Sequence, residues 1–241
     1  DRKLALQSGN AAGALVETRH SCADEMPSPK ELAHFLEHRK QASGELAKIH
    51  RSFARKRLQE PILALACDHR VPFDELVKRH HRSEADAQAF KQLVFEAMKV
   101  GTSGNREFSA GMLMDPRFGQ AVLDQLGNGD FWTGRPTEVT GARPLQTEAG
   151  HDLANMIAAW RPGQVAKVLV WFSPDDPPEL IDVQINTLSA VQSACRGADI
   201  EWMLEMVPPL DMPRDDDTLI RGVVCSYDAG LHPDWWKLPA L

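Results

Sequence analysis

From residue 59 onward, short apolar runs alternate with segments of helical periodicity, and no other feature of the chain restricts its fold as much. The runs are "PILALACD", "SAGMLMD", "GDFWTG", "AKVLVWFS", "IEWMLEMV" and "PDWWKLPA". Each has the length of a strand and is bounded by turn-forming residues. Between them lie helical candidates such as "SEADAQAFKQLVFEAMKV", "GQAVLDQLG", "GHDLANMIAAW", "PPELIDVQINTLSAVQSACRG" and "DDDTLIRGVVCSYDAG". Alternation of this kind predicts parallel strands joined by helical crossovers, either as an open doubly wound sheet or as a barrel. A dinucleotide-binding sheet needs a G-x-G-x-x-G turn after its first strand, and "LACDHRVPF" contains no glycine. Charged or polar residues stand instead at or near the C-terminal ends of the runs: Asp68 and Arg70, Asp115 and Arg117, Arg135 and Glu138, Ser173 and Asp175. That is where a (β/α)8 barrel builds a site from many loops. A full barrel takes about 250 residues, so residues 59–241 supply about six of its eight units. The expected fold is α/β, an incomplete TIM barrel two strands short.

Strand periodicity proposes which side chains meet. Alternate residues share a face, so Lys167, Leu169, Trp171 and Ser173 fall together, as do Glu201, Met203 and Glu205, and Trp235 with Lys237. If these faces line the interior, Lys167, Glu205 and Lys237 converge from three successive strands, and Asp68 joins them from the first. Two lysines and two carboxylates in one enclosed volume suit amine catalysis. A lysine attacks a carbonyl only when unprotonated, and desolvation or a second nearby cation favours that form. Glu205 would carry protons and Asp68 would hold or deprotonate a substrate hydroxyl. From spacing alone the same four residues read first as compensating ion pairs without chemistry.

Residues 1–39 differ in character. They hold the Ala/Gly-rich run "LALQSGNAAGALVETRH" and a short helix opened by Ser28 as cap and Pro29 in the first turn. Residues 40–58 are basic, polar and helix-forming, and read as a linker with a solvated face. The chain begins with aspartate and ends in mid-motif at Leu241, which suggests a piece of a longer polypeptide. Its four cysteines, at positions 22, 67, 195 and 225, form no C-x-x-C pair and read as reduced thiols of a cytoplasmic protein. A formal net charge of −7 argues against general nucleic-acid affinity. No apolar run is long enough to suggest a membrane span. His80 and His81, consecutive on an expected helix, point apart and make a poor metal pair.

Two adjoining blocks resemble parts of a known fusion family. "GNAAGALVETRHSCADEMPSPKELAHFL" resembles the C-terminal end of a ribokinase-like sugar kinase, in particular the 5-dehydro-2-deoxygluconokinases of myo-inositol catabolism. "ILALACDHRVPFDEL", "GMLMDPRFG", "GRPTEV", "GARPL", "KVLVWFSPDDPPEL", "LEMVPP" and "PDWWKLPA" resemble the domain that follows this kinase, which is similar to class I aldolases of the tagatose-1,6-bisphosphate type. The resemblance implies that Lys237 is the Schiff-base lysine, with Glu205, Lys167 and Asp68 as its catalytic companions. It implies a phosphorylated keto sugar acid, 5-dehydro-2-deoxygluconate 6-phosphate, split into dihydroxyacetone phosphate and malonate semialdehyde, with no metal and no cofactor. ATP and Mg would serve only the kinase part, whose catalytic motif is not in this sequence.

Arg70, Arg117, Arg135 and Arg143 are candidates for holding a substrate carboxylate or phosphate through bidentate hydrogen bonds. Two other readings stay open at this point. One is a non-catalytic sugar-phosphate-binding barrel that regulates or scaffolds its kinase; the other is kinase function alone, with this segment promoting homo-oligomer formation.

Overall fold

The computed structural model describes residues 2–17, 27, 29–38, 61–104, 107–126, 131–161 and 163–239. They fall into two units, residues 1–59 and 60–241. The first contains helices α1 (Arg2–Glu17) and α2 (Pro29–His38), which pack on each other. The second helix starts with Pro29, as expected, where a fixed φ and a missing N–H cost nothing. Ser28 and the linker assigned to residues 40–58 lie outside the described residues.

The larger unit alternates strand and helix. Strands β1 (Ile62–Cys67), β2 (Ser109–Met114), β3 (Trp132–Pro136), β4 (Gln164–Trp171), β5 (Glu201–Val207) and β6 (Trp235–Lys237) form one parallel sheet in sequence order. Helices α3 (Val71–Arg79) and α4 (Glu84–Thr102) follow β1, and α5 (Pro116–Leu126) follows β2. Then come α6 (Leu153–Ala158) after β3, α7 (Pro178–Gly197) after β4 and α8 (Asp216–Asp228) after β5. Several starts are locally encoded. Ser83 and Asp86 make a reciprocal capping box on α4, and the Asp215 carboxylate accepts from the Thr218 N–H at the start of α8. One expectation is corrected here. His80 and His81 are not helical; α3 ends at Arg79, and His81 takes a positive φ of 50° in the turn that follows.

Each strand presents alternate residues to two faces. The outer faces of β4 and β5, through Ala166, Val168, Val170, Phe172, Trp202, Leu204 and Met206, pack with Leu188, Val191 and Cys195 of α7. Met112 and Met114 of β2 pack with Phe95 and Met98 of α4 and with Val122, Leu123 and Leu126 of α5. On the opposite face Leu113, Val165 and Met203 form a smaller cluster with Trp132 and Trp235.

Contacts across that face show that the sheet curls. Neighbouring strands lie about 4.8 Å apart, so strands three places apart in a flat sheet are separated by about 14 Å. Yet the rings of Trp132 on β3 and Trp235 on β6 lie 5.9 Å apart, edge to face. Lys167 on β4 likewise reaches Asp68, just beyond β1, at 3.1 Å. Gly134 fits this crowding, because a Cβ there would stand 2.4 Å from Leu113 Cδ2. Six parallel strands thus curl as an incomplete barrel does.

The outer layer holds the sheet in place, and Trp202 is its largest fully buried side chain. Its indole N–H donates to the His232 carbonyl at 3.3 Å. Trp202→Ala is expected to lower stability by about 3–5 kcal/mol, read as a lower urea midpoint with an unchanged slope. A loss below about 1 kcal/mol, the range of a surface change, would contradict this packing.

Candidate active site

The inner face gathers its charges near the C-terminal ends of the strands. Parallel register sets Glu205 opposite Lys237, and Lys167 opposite Met203, one pleat short of Glu205. The long Lys167 side chain covers that step. Its ammonium lies 2.8 Å from Glu205 Oε2, 3.1 Å from Asp68 Oδ2 and 3.3 Å from Glu138 Oε1, to which it donates. The Glu205 contact is an ion pair without hydrogen-bond alignment. Lys237 Nζ donates to the other Glu205 oxygen, Oε1, at 2.6 Å. One carboxylate therefore bridges two ammonium groups.

The two lysines differ in surroundings. The Lys167 side chain is 5% exposed and caged by three carboxylates, whereas that of Lys237 is 37% exposed and has one. Burial alone favours neutral Lys167, but Glu138, Asp68 and Glu205 outweigh it and raise its pKa above the ordinary lysine range. Burial raises the Asp68 pKa, and the Lys167 charge and hydrogen bond, with Lys237 beyond, overcome this and hold it below the ordinary value. Glu138 goes the opposite way: burial pushes its carboxyl up despite Lys167 and Arg70.

Arg70 extends the network. It is buried, and one guanidinium nitrogen donates to Glu138 Oε1 at 2.9 Å while the other donates to the Glu138 carbonyl at 2.8 Å and to Glu148 Oε1 at 2.5 Å. Glu148 arrives through a short antiparallel excursion after β3, in which Val139 N–H donates to Gln146 and Glu148 N–H donates to Thr137. The fold thus brings together Asp68, Lys167, Glu205 and Lys237, the four that strand periodicity gathered, and adds Arg70, read from the sequence as a substrate-binding candidate, through Glu138 and Glu148.

Three other arginines lie elsewhere. Arg143 sits in the loop after β3, paired with Asp176 after β4 and 3.9 Å from Asp211 after β5. Arg135 points to the helical layer, because Gly134 and Pro136 occupy the inner parity of β3. Its guanidinium stacks 4.3 Å from the Trp160 ring and donates to Gln164, and burial holds its pKa below the ordinary value. Arg117 is exposed, pairing with Asp74 at 2.7 Å and Glu84 at 3.3 Å. Neither Arg117 nor Arg135 touches the cluster.

Two members were given no role from the sequence, Glu138 having been noted only as a charged residue near a strand end and Glu148 not at all. Glu138 follows Gly134 and Pro136 at the inner parity, so extending the period of two past the end of β3 would have found it. Glu148 carries no such signal, since its place depends on the pairing of the loop. Among the described residues no group of three His, Cys, Asp or Glu side chains is arranged to hold a metal ion. No described helix is long and apolar enough to cross a membrane.

Residues 31–241 match the model of the family described as "Uncharacterized protein conserved in bacteria (DUF2090)". Over 154 residues, 61% of this chain, the sequence is 26% identical to proteins named "Tagatose 1,6-diphosphate aldolase" from Listeria monocytogenes serotype 4a (strain HCC23) and Listeria innocua serovar 6a (strain ATCC BAA-680 / CLIP 11262). The match covers 43% of each relative, so the chain spans less than half the length of these curated proteins.

The cluster dictates how stability responds to pH. The raised pKa of Lys167 adds stability that is complete below the ordinary lysine value of about 10.4 and lost as pH rises through the folded value. The depressed pKa of Asp68 adds stability present above about 3.9 and lost as pH falls through the folded value. Lys167→Met removes the shared cation and leaves three buried carboxylates in mutual repulsion. The variant is expected to lose about 3–5 kcal/mol at pH 7 and to regain part of it on acidification to about pH 5, as those carboxylates take up protons. Urea unfolding at the two pH values checks this; a variant no more stable at the lower pH would contradict the assigned pairing.

Proposed function

The chain belongs to the DUF2090 family, and we propose that its inner-face cluster performs the chemistry of a Schiff-base aldolase. One observation supports this most: Lys237 and Lys167 share Glu205, and only Lys237 is both partly exposed and free of a carboxylate cage. The distant likeness to proteins named tagatose 1,6-diphosphate aldolase supports an aldolase-like reaction.

The steps follow from these surroundings. Lys237, after giving a proton to Glu205, adds its nitrogen to the substrate ketone, forming a carbinolamine. Glu205 returns a proton to the departing hydroxyl, water leaves, and an iminium forms. Cleavage of the neighbouring carbon-carbon bond sends its electron pair into the iminium, giving an enamine, while the hydroxyl proton passes to a base and an aldehyde departs. Protonation of the enamine carbon and hydrolysis release the ketone product and free lysine. Lys167 keeps its charge beside Glu205 throughout. Asp68, held ionised, accepts a hydrogen bond from a substrate hydroxyl, and the iminium is the electron sink, so the sequence of steps requires no metal or cofactor.

The resemblance noted in the sequence makes the proposal more specific. The substrate is 5-dehydro-2-deoxygluconate 6-phosphate, the products are dihydroxyacetone phosphate and malonate semialdehyde, and the parent polypeptide also carries an ATP- and Mg-dependent sugar kinase. Arg143, in the loop after β3 and paired with Asp176 from the loop after β4, is the arginine that would meet an anionic end of the substrate.

Borohydride reduction in the presence of dihydroxyacetone phosphate, followed by peptide mass mapping, tests the reaction. A reduced adduct is expected on Lys237, absent in Lys237→Met, and Glu205→Gln is expected to slow its formation by about 10²–10⁴-fold. Saturable binding of the phosphate without any adduct would overturn the proposal in favour of a binding domain whose charges are ion pairs.

A further inference from the structure

Outside this cluster the unit holds a second buried ion pair, Lys91 with Asp115. Both side chains are fully buried. Lys91 stands on α4 in the stripe that also buries Ala87, Phe95 and Met98, a position that an amphipathic helix normally gives to an apolar side chain. Its stem lies in that layer, and its ammonium is 4.6 Å from the centre of the Phe73 ring and 5.7 Å from that of Phe118.

The three donors of Lys91 are all engaged. It donates to Asp115 Oδ2, to the Cys67 carbonyl at 2.8 Å and to the His69 carbonyl at 3.0 Å. The two carbonyls flank Asp68. Asp115 is anchored in turn, since its Oδ1 accepts from the Phe118 N–H at 2.9 Å and its carbonyl accepts from the Gly119 N–H at 3.1 Å. Lys91 of α4, held by Asp115 just before α5, therefore bonds the backbone on both sides of a single inner-face carboxylate.

We propose that Lys91 is a positioning residue for Asp68, aiming that carboxylate at Lys167 and at the substrate hydroxyl without itself touching either; the hydroxyl contact rests on the aldolase reading. Any buried ammonium must satisfy its donors, and what distinguishes Lys91 is that the two not used by Asp115 go to the carbonyls just before and just after Asp68. An unsatisfied buried ammonium is costly, and here one of these donors fixes the Cys67–Asp68 peptide unit while the other fixes the His69–Arg70 unit one residue further on. Arg70, the N-cap of α3, follows directly, so the same grip sets the path of the chain into Arg70.

The test separates this role from the reaction. The double variant Lys91→Met with Asp115→Asn removes both charges together and retains an oxygen to cap Phe118. Lys91→Gln is the second variant, keeping an amide but lacking the reach to hold both carbonyls. Carbon-13 titration of the Asp68 carboxyl in each folded variant is expected to show its pKa moved up from the parent value, because the carboxylate no longer faces Lys167 squarely. Borohydride trapping at Lys237 with saturating dihydroxyacetone phosphate should slow by about 10²-fold, as for a misplaced group. An Asp68 titration identical to the parent's in either folded variant overturns the proposal. If neither folds, the Cys67 and His69 carbonyl carbons of the parent chain decide, since both must shift on deuteration of the Lys91 ammonium. Failure of the parent to trap the probe refutes the aldolase reading and leaves the Asp68 titration to judge Lys91.

Discussion

Lys167 is the interaction on which the rest of the larger unit depends. A buried ammonium is expensive to desolvate, and it is tolerated here because carboxylates converge on it from the end of β1, from beyond β3 and from β5. Those strands cannot bring their side chains together on a flat sheet, so the curl of the sheet and the satisfaction of this one cation are the same constraint. Charge balance then propagates outward. Three carboxylates around one lysine are an excess of negative charge, which Arg70 offsets at Glu138 and Lys237 offsets at Glu205.

That arrangement gives two lysines on one carboxylate opposite roles. Lys167 is locked as a cation, so it can supply a field but not a lone pair. Lys237 faces the same Glu205 from the directly paired position on β6 and remains within reach of a molecule entering from the strand ends. Glu205 is hydrogen-bonded to one ammonium and ion-paired with the other. Asp68 is kept ionised by Lys167, and Lys91 donates to the carbonyls of the residues on either side of it.

Much of this was legible in the sequence because strand parity is a strict rule. The period of two gave the residues that share a face with Lys167, Glu205 and Lys237 in each strand, and once those faces turn inward, as the sheet has them, the three meet with Asp68 from the end of "PILALACD". Parity also explains the exceptions. Arg135 lies one residue from the inner-face Gly134, and a one-residue step reverses the face, so it entered the helical layer beside Trp160. Arg117, one residue into α5, was taken by half-buried Asp74 and exposed Glu84. Glu138 was readable by continuing the same period past the strand. Glu148 was not, because a loop that folds back on itself has no periodicity to follow. Lys91 had a signal of another kind, a lysine in the apolar stripe of an amphipathic helix, but what its ammonium would meet depended on how α4 lies against the end of β1.

The central claim is that Lys167 stays charged while serving three carboxylates. Nitrogen-15 NMR of the lysine side chains, followed through an alkaline titration of the intact chain, tests it most directly. The account predicts that the Lys167 resonance keeps its ammonium shift beyond the ordinary lysine value of about 10.4. A Lys167 nitrogen that loses its proton at or below that value would contradict it.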